Sequence, residues 1–226
     1  MKHGKKYLES LKKYDGTQVF DLVAAAEMVK KLSFAKFDET VDVSVKLNLK
    51  KSQTVRDTVV LPHQFRGEKK ILVFCKGEKE KEALEAGATY VGAEEMIEKV
   101  KGGWLDFDIA VATPDMMKDV GKLGMVLGRK GLMPNPKTGT VTFDLKAALA
   151  ELKKGRVEFR VDKTGVIHLP IGKVSMDSTK VAENVQAFIT EVKRKKPADA
   201  KGDFMQSISL SSSMGPGVWV AIKDEE

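Results

Sequence analysis

The sequence is poor in the residues that build disulfides and metal sites. It has one cysteine, Cys75, and three histidines far apart at positions 3, 63 and 168. An intrachain disulfide and a CxxC-type metal cluster are therefore excluded, and we expect no metal and no cofactor. Cys75 ends the apolar run 71–75, which favours a buried core residue over the alternative of a nucleophilic thiol.

The sequence also lacks the motifs of common enzyme classes. No G-x-G-x-x-G follows a predicted strand, and residues 124–130 miss the Walker pattern in spacing and in the final Ser/Thr. The nucleophile motif G-x-S-x-G is absent as well. We therefore expect no catalytic residue and no small-molecule substrate. A nucleotide- or cofactor-dependent enzyme remains the competing hypothesis, and a thermal-shift screen against nucleotides would discriminate it.

Long hydrophobic runs are missing. No stretch approaches 18 consecutive apolar residues, so no membrane span and no membrane partner are predicted. The first six residues are Met-Lys-His-Gly-Lys-Lys and lack the apolar core of a signal peptide. We expect a cytoplasmic protein.

Positive charge is in excess. The chain has 39 Lys+Arg against 32 Asp+Glu, a net charge of +7 and a pI of about 9.2, which favours nucleic acid or another polyanion as partner. Its 226 residues, 42% of them hydrophobic, are enough for one large or two small globular domains.

Hydrophobic periodicity predicts three successive parts. Helices at 5–14 and 21–33 precede an alternating strand at 40–49 and a second strand at 57–62. Strands and helices then alternate at 71–75, 78–86, 88–91, 93–100, 108–113 and 144–154, which predicts a small parallel sheet wrapped by helices. A hairpin of 156–161 and 166–171 follows, then a helix at 178–196 and strands at 207–210 and 218–222.

This order predicts an insertion. We expect residues 1–67 and 157–226 to form a discontinuous α+β domain, an antiparallel sheet with helices. Residues 68–156 would form an inserted α/β domain, three-layered and Rossmann-like with a small parallel sheet. The inserted part has 16 Lys+Arg and 14 Asp+Glu, net +2, which leaves +5 of the +7 to the split domain.

Residues 121–141 form a distinctive segment. They contain five glycines, two prolines and no acidic residue. The glycines and Pro134 and Pro136 predict an extended loop whose backbone can approach a partner. Its four cations favour an anionic partner, and phosphate is the first candidate. These cations are Lys122, Arg129, Lys130 and Lys137.

The end of this segment, Gly-Arg-Lys-Gly-Leu-Met-Pro-Asn-Pro-Lys-Thr-Gly-Thr-Val at 128–141, resembles the signature of a ribosomal protein family. That family is the universal first protein of the large ribosomal subunit, which forms the mobile stalk, and its bacterial form is the most similar. Further stretches resemble the family in the same order, at 34–41, 60–63, 76–79, 112–115, 159–168 and 214–216.

The resemblance implies a two-domain fold and a ribosome-associated protein that binds large-subunit ribosomal RNA directly. It further implies influence on release of exit-site tRNA, repression of its own operon through the messenger RNA, and a monomer off the ribosome. A general polyanion binder is the alternative, and it would show equal affinity for unrelated RNA at matched salt.

The resemblance also implies the residues that contact RNA. The main set is Lys36, Phe37, Glu39, Thr40, Ser211, Ser213, Met214 and Gly215. A weaker set is Arg160, Asp162, Lys163, Thr164, His168 and Lys173. The four cations of 121–141 would add a secondary RNA contact or shape a cleft. Local packing is the alternative for Phe37 and Met214, and Ser213 stands where the family commonly has threonine.

Overall fold

The computed structural model describes residues 4–49, 54–65, 67, 69–77, 79–153, 155–197 and 203–222, without the side chain of Lys137. The chain divides into two compact units. The first, Met1–Phe65 with Val157–Glu226, is called the split unit. The second, Arg66–Arg156, is called the inserted unit.

Helices and strands alternate in groups along the chain. The helices are α1 (Lys5–Leu11), α2 (Leu22–Leu32), α3 (Lys79–Glu85), α4 (Glu94–Lys101), α5 (Met117–Val120), α6 (Gly124–Arg129), α7 (Leu145–Lys153) and α8 (Ser178–Arg194). The strands are β1 (Val19–Phe20), β2 (Thr40–Leu47), β3 (Arg56–Val60), β4 (Ile71–Phe74), β5 (Tyr90–Gly92), β6 (Ile109–Ala112), β7 (Arg156–Arg160), β8 (Val166–Lys173), β9 (Met205–Ser212) and β10 (Gly217–Val220). Residues 78 and 154, predicted as helix ends, lie outside the described residues.

The split unit is built on a five-stranded sheet in the order β1-β10-β9-β2-β8. The sheet has one buried and one solvent-facing side, as strand β2 shows: its alternate residues are half-buried, and those between them are buried, namely Val41, Val43, Val45 and Leu47. Helices α2 and α8 pack on the buried face through apolar stripes of matching spacing. Phe159 and Phe188 meet edge to face there, with ring centroids 5.4 Å apart.

Two features of the split unit differ from the sequence prediction. Strands β7 and β8 do not form a hairpin, because β7 pairs with β3 in a separate two-stranded sheet while β8 pairs with β2. An isolated bridge from Val161 to Ile167 and the hydrogen bond from the Asp162 N–H to the Val166 carbonyl oxygen link the end of β7 to the start of β8. The short strand β1 was not predicted, and it pairs parallel to β10, so the sheet is not wholly antiparallel. Alternation shows that a strand is half-buried but not which strand it joins.

The inserted unit has a three-stranded parallel sheet in the order β5-β4-β6. Every residue of β4 is buried because the sheet is covered on both faces. Leu72 and Phe74 pack with α4, α5 and α6, whereas Ile71 and Val73 pack with α3 and α7. The unit therefore has three layers, as the alternation of strands and helices predicted.

The segment 121–141 is not an extended loop. Gly121–Leu123 and Pro136–Thr138 are 3-10 turns, and α6 lies between them. Pro136 opens its turn, because the fixed φ of proline suits a first helical position as well as an extended one. The turn is closed internally: the Asn135 N–H donates to Thr140 Oγ1 at 2.7 Å, and Thr140 Oγ1 lies 3.1 Å from Thr138 Oγ1.

We predict that Cys75 is chemically silent in the native protein. It is fully buried after β4, and burial raises the pKa of its thiol to about 11. At about pH 8 an aromatic disulfide reagent should label native protein more than ~100-fold slower than a free thiol, since thiolate is the reactive form. Labelling should be complete in denaturant, and rapid labelling without unfolding would contradict the buried placement.

Candidate nucleic-acid interface

The main predicted residues meet at one end of the five-stranded sheet. The connection from α2 to β2 and the turn from β9 to β10 lie side by side there, because Val41 is opposite Ser212 in the strand register. We call residues 34–40 and 211–215 the loop cluster. Residues 173 positions apart in sequence thus form one surface, as the hydrogen bond between Thr40 and Ser213 shows.

Glu39 holds the two halves of the loop cluster together. It is only 1% exposed. One carboxylate oxygen accepts the N–H groups of Phe34 at 3.1 Å and Ala35 at 2.8 Å, and the other accepts the N–H of Met214 at 3.1 Å. The side chain of Glu39 therefore points inward, where it positions the residues around it, and its expected contact with RNA stays a prediction.

The pKa of Glu39 reflects the balance between burial and hydrogen bonding. Burial raises the pKa, because a charged carboxylate loses its hydration. Hydrogen bonds from the Ser212 hydroxyl and from the N–H groups of Ala35, Met214 and Phe34 outweigh that effect, so the pKa lies below its ordinary value. The carboxylate stays ionised and acts only as an acceptor.

The turn at Gly215 requires a glycine for a steric reason. The Gly215 N–H donates to Ser212 Oγ at 3.1 Å. A Cβ on residue 215 would lie 2.5 Å from the same oxygen, which is closer than a Cβ comes to a non-bonded atom in folded proteins. Gly215 therefore permits the contact that turns the Ser212 hydroxyl inward, and it offers a partner only its backbone.

Two further contacts set the edge of the loop cluster. Ser213 Oγ accepts the N–H of Thr40 at 3.1 Å, an intramolecular hydrogen bond. The threonine that the family commonly has at this position would supply the same hydroxyl. The Asp38 carboxylate accepts the N–H of Ser175 at 3.1 Å and its hydroxyl at 2.9 Å. These bonds anchor the segment that carries Lys36 and Phe37.

Sequence reasoning missed Asp38 and Ser212 as organising residues. For Ser212 a signal was present, because it follows the buried Leu210 at the spacing of one strand face. Asp38 carries no such signal, since its partner Ser175 is 137 positions away. Its role depends on how β2 and β8 pair.

Apart from the two side chains described above, the loop cluster exposes two apolar side chains and a cation. Phe37 is 58% and Met214 is 54% exposed, so local packing does not account for either side chain. Lys36 is exposed beside them, and Ser211 is half-buried on the solvent side of β9. Two apolar side chains and a cation thus project from a backbone that the hydrogen bonds of Glu39 fix in place.

The weaker candidates are not brought together. Lys173 lies opposite Thr40 and joins the loop cluster, with its Nζ 3.4 Å from the Asp38 carbonyl oxygen. His168 is exposed on β8, the edge strand of the five-stranded sheet, with Nδ1 2.9 Å from Ser44 Oγ. Arg160 is exposed on β7, in the two-stranded sheet.

Asp162, Lys163 and Thr164 lie near Lys46, at the far end of β2 and about 20 Å from Thr40 along the strand. The Asp162 carboxylate accepts the N–H and hydroxyl of Thr164 and the N–H of Val166. The Val166 bond is the main reason that the pKa of Asp162 is lowered. Asp162 and Thr164 thus stabilise the turn, and Lys163 is exposed on it.

The predicted cations of 121–141 belong to the inserted unit. Lys122 pairs with Asp119 at 2.9 Å, which lowers the pKa of that carboxyl. Arg129 and Lys130 are exposed at the end of α6, and the side chain of Lys137 lies outside the described residues.

Within the described ranges, no group of three or more His, Cys, Asp or Glu is arranged to hold a metal ion. None of the helices described combines the length and the apolar character needed to cross a membrane.

We predict that Glu39→Gln destabilises the protein by about 1–3 kcal/mol at about pH 7, because an amide offers one acceptor oxygen to donors that now share two. The folded pKa is lowered, so the contribution of the carboxylate is present above the ordinary value of 4.5 and is lost as pH falls through the folded pKa. The difference in free energy of unfolding from the native protein should therefore shrink below about pH 4.5.

Chemical denaturation across pH measures this difference. The matched control is Glu98→Gln, an exposed glutamate on α4, which should leave stability within about 0.5 kcal/mol. A Glu39→Gln protein as stable as the control at neutral pH would contradict the organising role of Glu39.

Comparison with known proteins places this geometry in context. A family model described as Ribosomal protein L1p/L10e family matches residues 29–216, which include the whole loop cluster. The chain is 70% identical over 223 residues to the large ribosomal subunit protein uL1 of Treponema denticola, covering 99% of each protein. It is 63% identical to the protein of that name from Treponema pallidum over the full length of both, and 58% identical to that of Borrelia hermsii over 217 residues, covering 96% of this chain and 97% of the relative.

Proposed function

This chain belongs to the ribosomal protein L1p/L10e family, and from that premise we propose that it is a structural, non-catalytic constituent of the large ribosomal subunit that binds large-subunit ribosomal RNA directly. The observation that carries the proposal is the loop cluster. There the buried Glu39 carboxylate fastens two distant segments while Phe37 and Met214 project from them.

The chemistry of the loop cluster suits folded RNA. Phe37 and Met214 offer apolar contact to base and sugar faces, and Lys36 offers a phosphate contact. The hydroxyls of Thr40 and Ser211 lie on the solvent side of the strands, where ribose 2′-hydroxyls can meet them. Because the backbone is already fastened, binding does not have to order these segments, which lowers the entropic cost of association.

Charge supports the same surface. Residues 1–67 and 157–226 carry +5 of the total +7, so long-range attraction to phosphates acts mainly on this part of the chain. Charge alone would bind any RNA, and we propose that the fixed geometry of the loop cluster supplies the preference for one folded site. The affinity should fall with salt in proportion to the number of phosphates contacted.

We extend the proposal to the finer roles that the family resemblance implies. The protein would form the mobile stalk and influence release of exit-site tRNA. It would repress its own operon by binding a similar structure in the messenger RNA through the loop cluster. It would work in the cytoplasm as a ribosome-associated protein, monomeric before assembly.

We predict that Met214→Asp weakens binding to a stalk-region ribosomal RNA fragment at least tenfold, about 1.4 kcal/mol, because a carboxylate replaces an apolar contact beside phosphates. The fold should persist, since the side chain is more than half exposed. Affinity is measured by competition between that fragment and bulk tRNA at matched salt. If the messenger binds the same surface, its affinity falls in parallel.

The matched control is Leu84→Asp, which places the same charge at a comparably exposed apolar position on α3, outside all the candidate residues. It should bind the fragment as the native protein does. A folded Met214→Asp protein with unchanged affinity would overturn the assignment of the site. Native protein that prefers the fragment no more than tRNA would overturn specific ribosomal RNA binding itself.

A second prediction concerns the split unit. A shortened protein that lacks 68–156, with residues 67 and 157 rejoined, should keep most of the specific affinity, because the loop cluster lies wholly outside the deleted part. Circular dichroism establishes that the shortened protein folds, and the same competition measures its binding. Loss of preference for the fragment in a folded shortened protein would show that the inserted unit supplies specificity.

A further inference from the structure

One row of side chains crosses the five-stranded sheet from edge to edge. In the strand register, Val19 lies opposite Trp219, and Trp219 lies opposite Ser209. Ser209 lies opposite Ser44, which lies opposite His168. Directly opposed residues share one face of a sheet, so these five side chains form a continuous row.

The row lies on the face turned away from α2 and α8. The neighbours of Trp219 along its strand, Val218 and Val220, are buried in the core beneath those helices. Trp219 itself is 42% exposed and Val19 is 61% exposed. A large aromatic side chain thus lies on the solvent side of the sheet, while the inward positions on either side of it are occupied by valine.

The backbone under Trp219 is well fixed. Strand β10 is paired on both sides, with β1 and with β9. The backbone nitrogen of Trp219 lies 3.5 Å from the hydroxyl oxygen of Tyr14, a buried side chain of the core. The indole is therefore presented from a strand in mid-sheet and not from a loop.

The rest of the row is polar. Ser209 and Ser44 place hydroxyls at its centre, and Ser44 Oγ lies 2.9 Å from His168 Nδ1. Asp42 and Lys46 flank Ser44 on the same face of β2, so the centre carries no net excess of either charge. An aromatic ring beside hydroxyl groups on an open sheet is an arrangement that stacks a base and hydrogen-bonds its sugar.

The row is continuous with the loop cluster. Ser211 of the loop cluster is two residues from Ser209 on the same strand and faces the same way, about 7 Å along it. Gly217 lies opposite Ser211 and two residues before Trp219. RNA bound at the loop cluster therefore reaches the indole by extending two residues along the strands, about 7 Å from the Ser211–Gly217 pair.

We propose that Trp219 stacks on an unpaired base of the bound RNA, so that the interface extends from the loop cluster to the β1–β10 edge of the sheet. This inference rests on the proposed function and adds a residue to the same surface. RNA is favoured over a protein partner because one exposed Trp and one Val provide far less apolar area than the roughly 800 Å² per partner of a stable protein interface.

Fluorescence tests the stacking directly. The chain has two tryptophans, so Trp104→Phe leaves Trp219 as the single indole. Titration with the stalk-region RNA fragment should quench its emission along the binding curve, and iodide should quench the bound protein less than the free protein. Emission and iodide access that do not change on saturation would overturn the inference.

Affinity measurements separate stacking from simple burial. Trp219→Ala should weaken binding about tenfold, the effect expected for loss of one base–aromatic stack. Trp219→Phe should keep most of the affinity, whereas Trp219→Leu should lose nearly as much as alanine because it has no ring. The matched control is Phe143→Ala, an exposed aromatic side chain of the inserted unit, which should leave affinity unchanged.

The outcomes distinguish this inference from the proposed function. If Met214→Asp weakens binding and Trp219→Ala does not, the loop cluster stands and the stacking role of Trp219 is overturned. If Trp219→Leu binds as well as Trp219→Phe, apolar burial replaces stacking and the inference is also overturned. Native protein without preference for the fragment overturns the proposed function, and the inference falls with it.

Discussion

The buried carboxylate of Glu39 is the interaction on which the candidate interface depends. Taking a carboxylate out of water is costly, and the cost is offset because the Ser212 hydroxyl and backbone N–H groups from both segments of the loop cluster donate to it. Those same N–H groups belong to the segments that carry Phe37 and Met214. The charge is therefore inside and the apolar side chains are outside, the reverse of the usual arrangement. Burial of one polar group fixes the position of two exposed apolar ones.

This arrangement gives the split unit a candidate interface at one end of its five-stranded sheet. The strands β2 and β9 place both segments at one end of the sheet, and the pairing of Thr40 with Ser213 closes the surface between them. The inserted unit uses its polar residues differently, since Asn135, Thr138 and Thr140 bond mainly within their own turn. The most recognisable stretch of the sequence thus stabilises its own unit, while the loop cluster is made of short and inconspicuous pieces.

Much of the fold follows from local patterns. The alternation in β2, the apolar run of β4 and the inward stripe of α8 each predicted an element and its buried side, because period and apolarity are local properties of the chain. The partners of β7 and β8 did not follow, nor did the parallel pairing of the two-residue strand β1. Strand pairing is decided by which elements share a core, and residues such as Phe159 and Phe188 meet only after the chain has folded.

Local patterns of the sequence predicted most of the helices and strands, the buried sides of β2, β4 and α8 and, through the motifs, the family. Which residues of those motifs face outward depends on the tertiary structure. Glu39 and Met214 are both members of the predicted site, yet one is buried and the other exposed. The tertiary structure also separated Asp162 and Thr164 from the loop cluster and placed Trp219 on the open face of the sheet. The physical reason is that orientation in a loop is set by long-range hydrogen bonds, and these depend on strand register, which no local pattern contains.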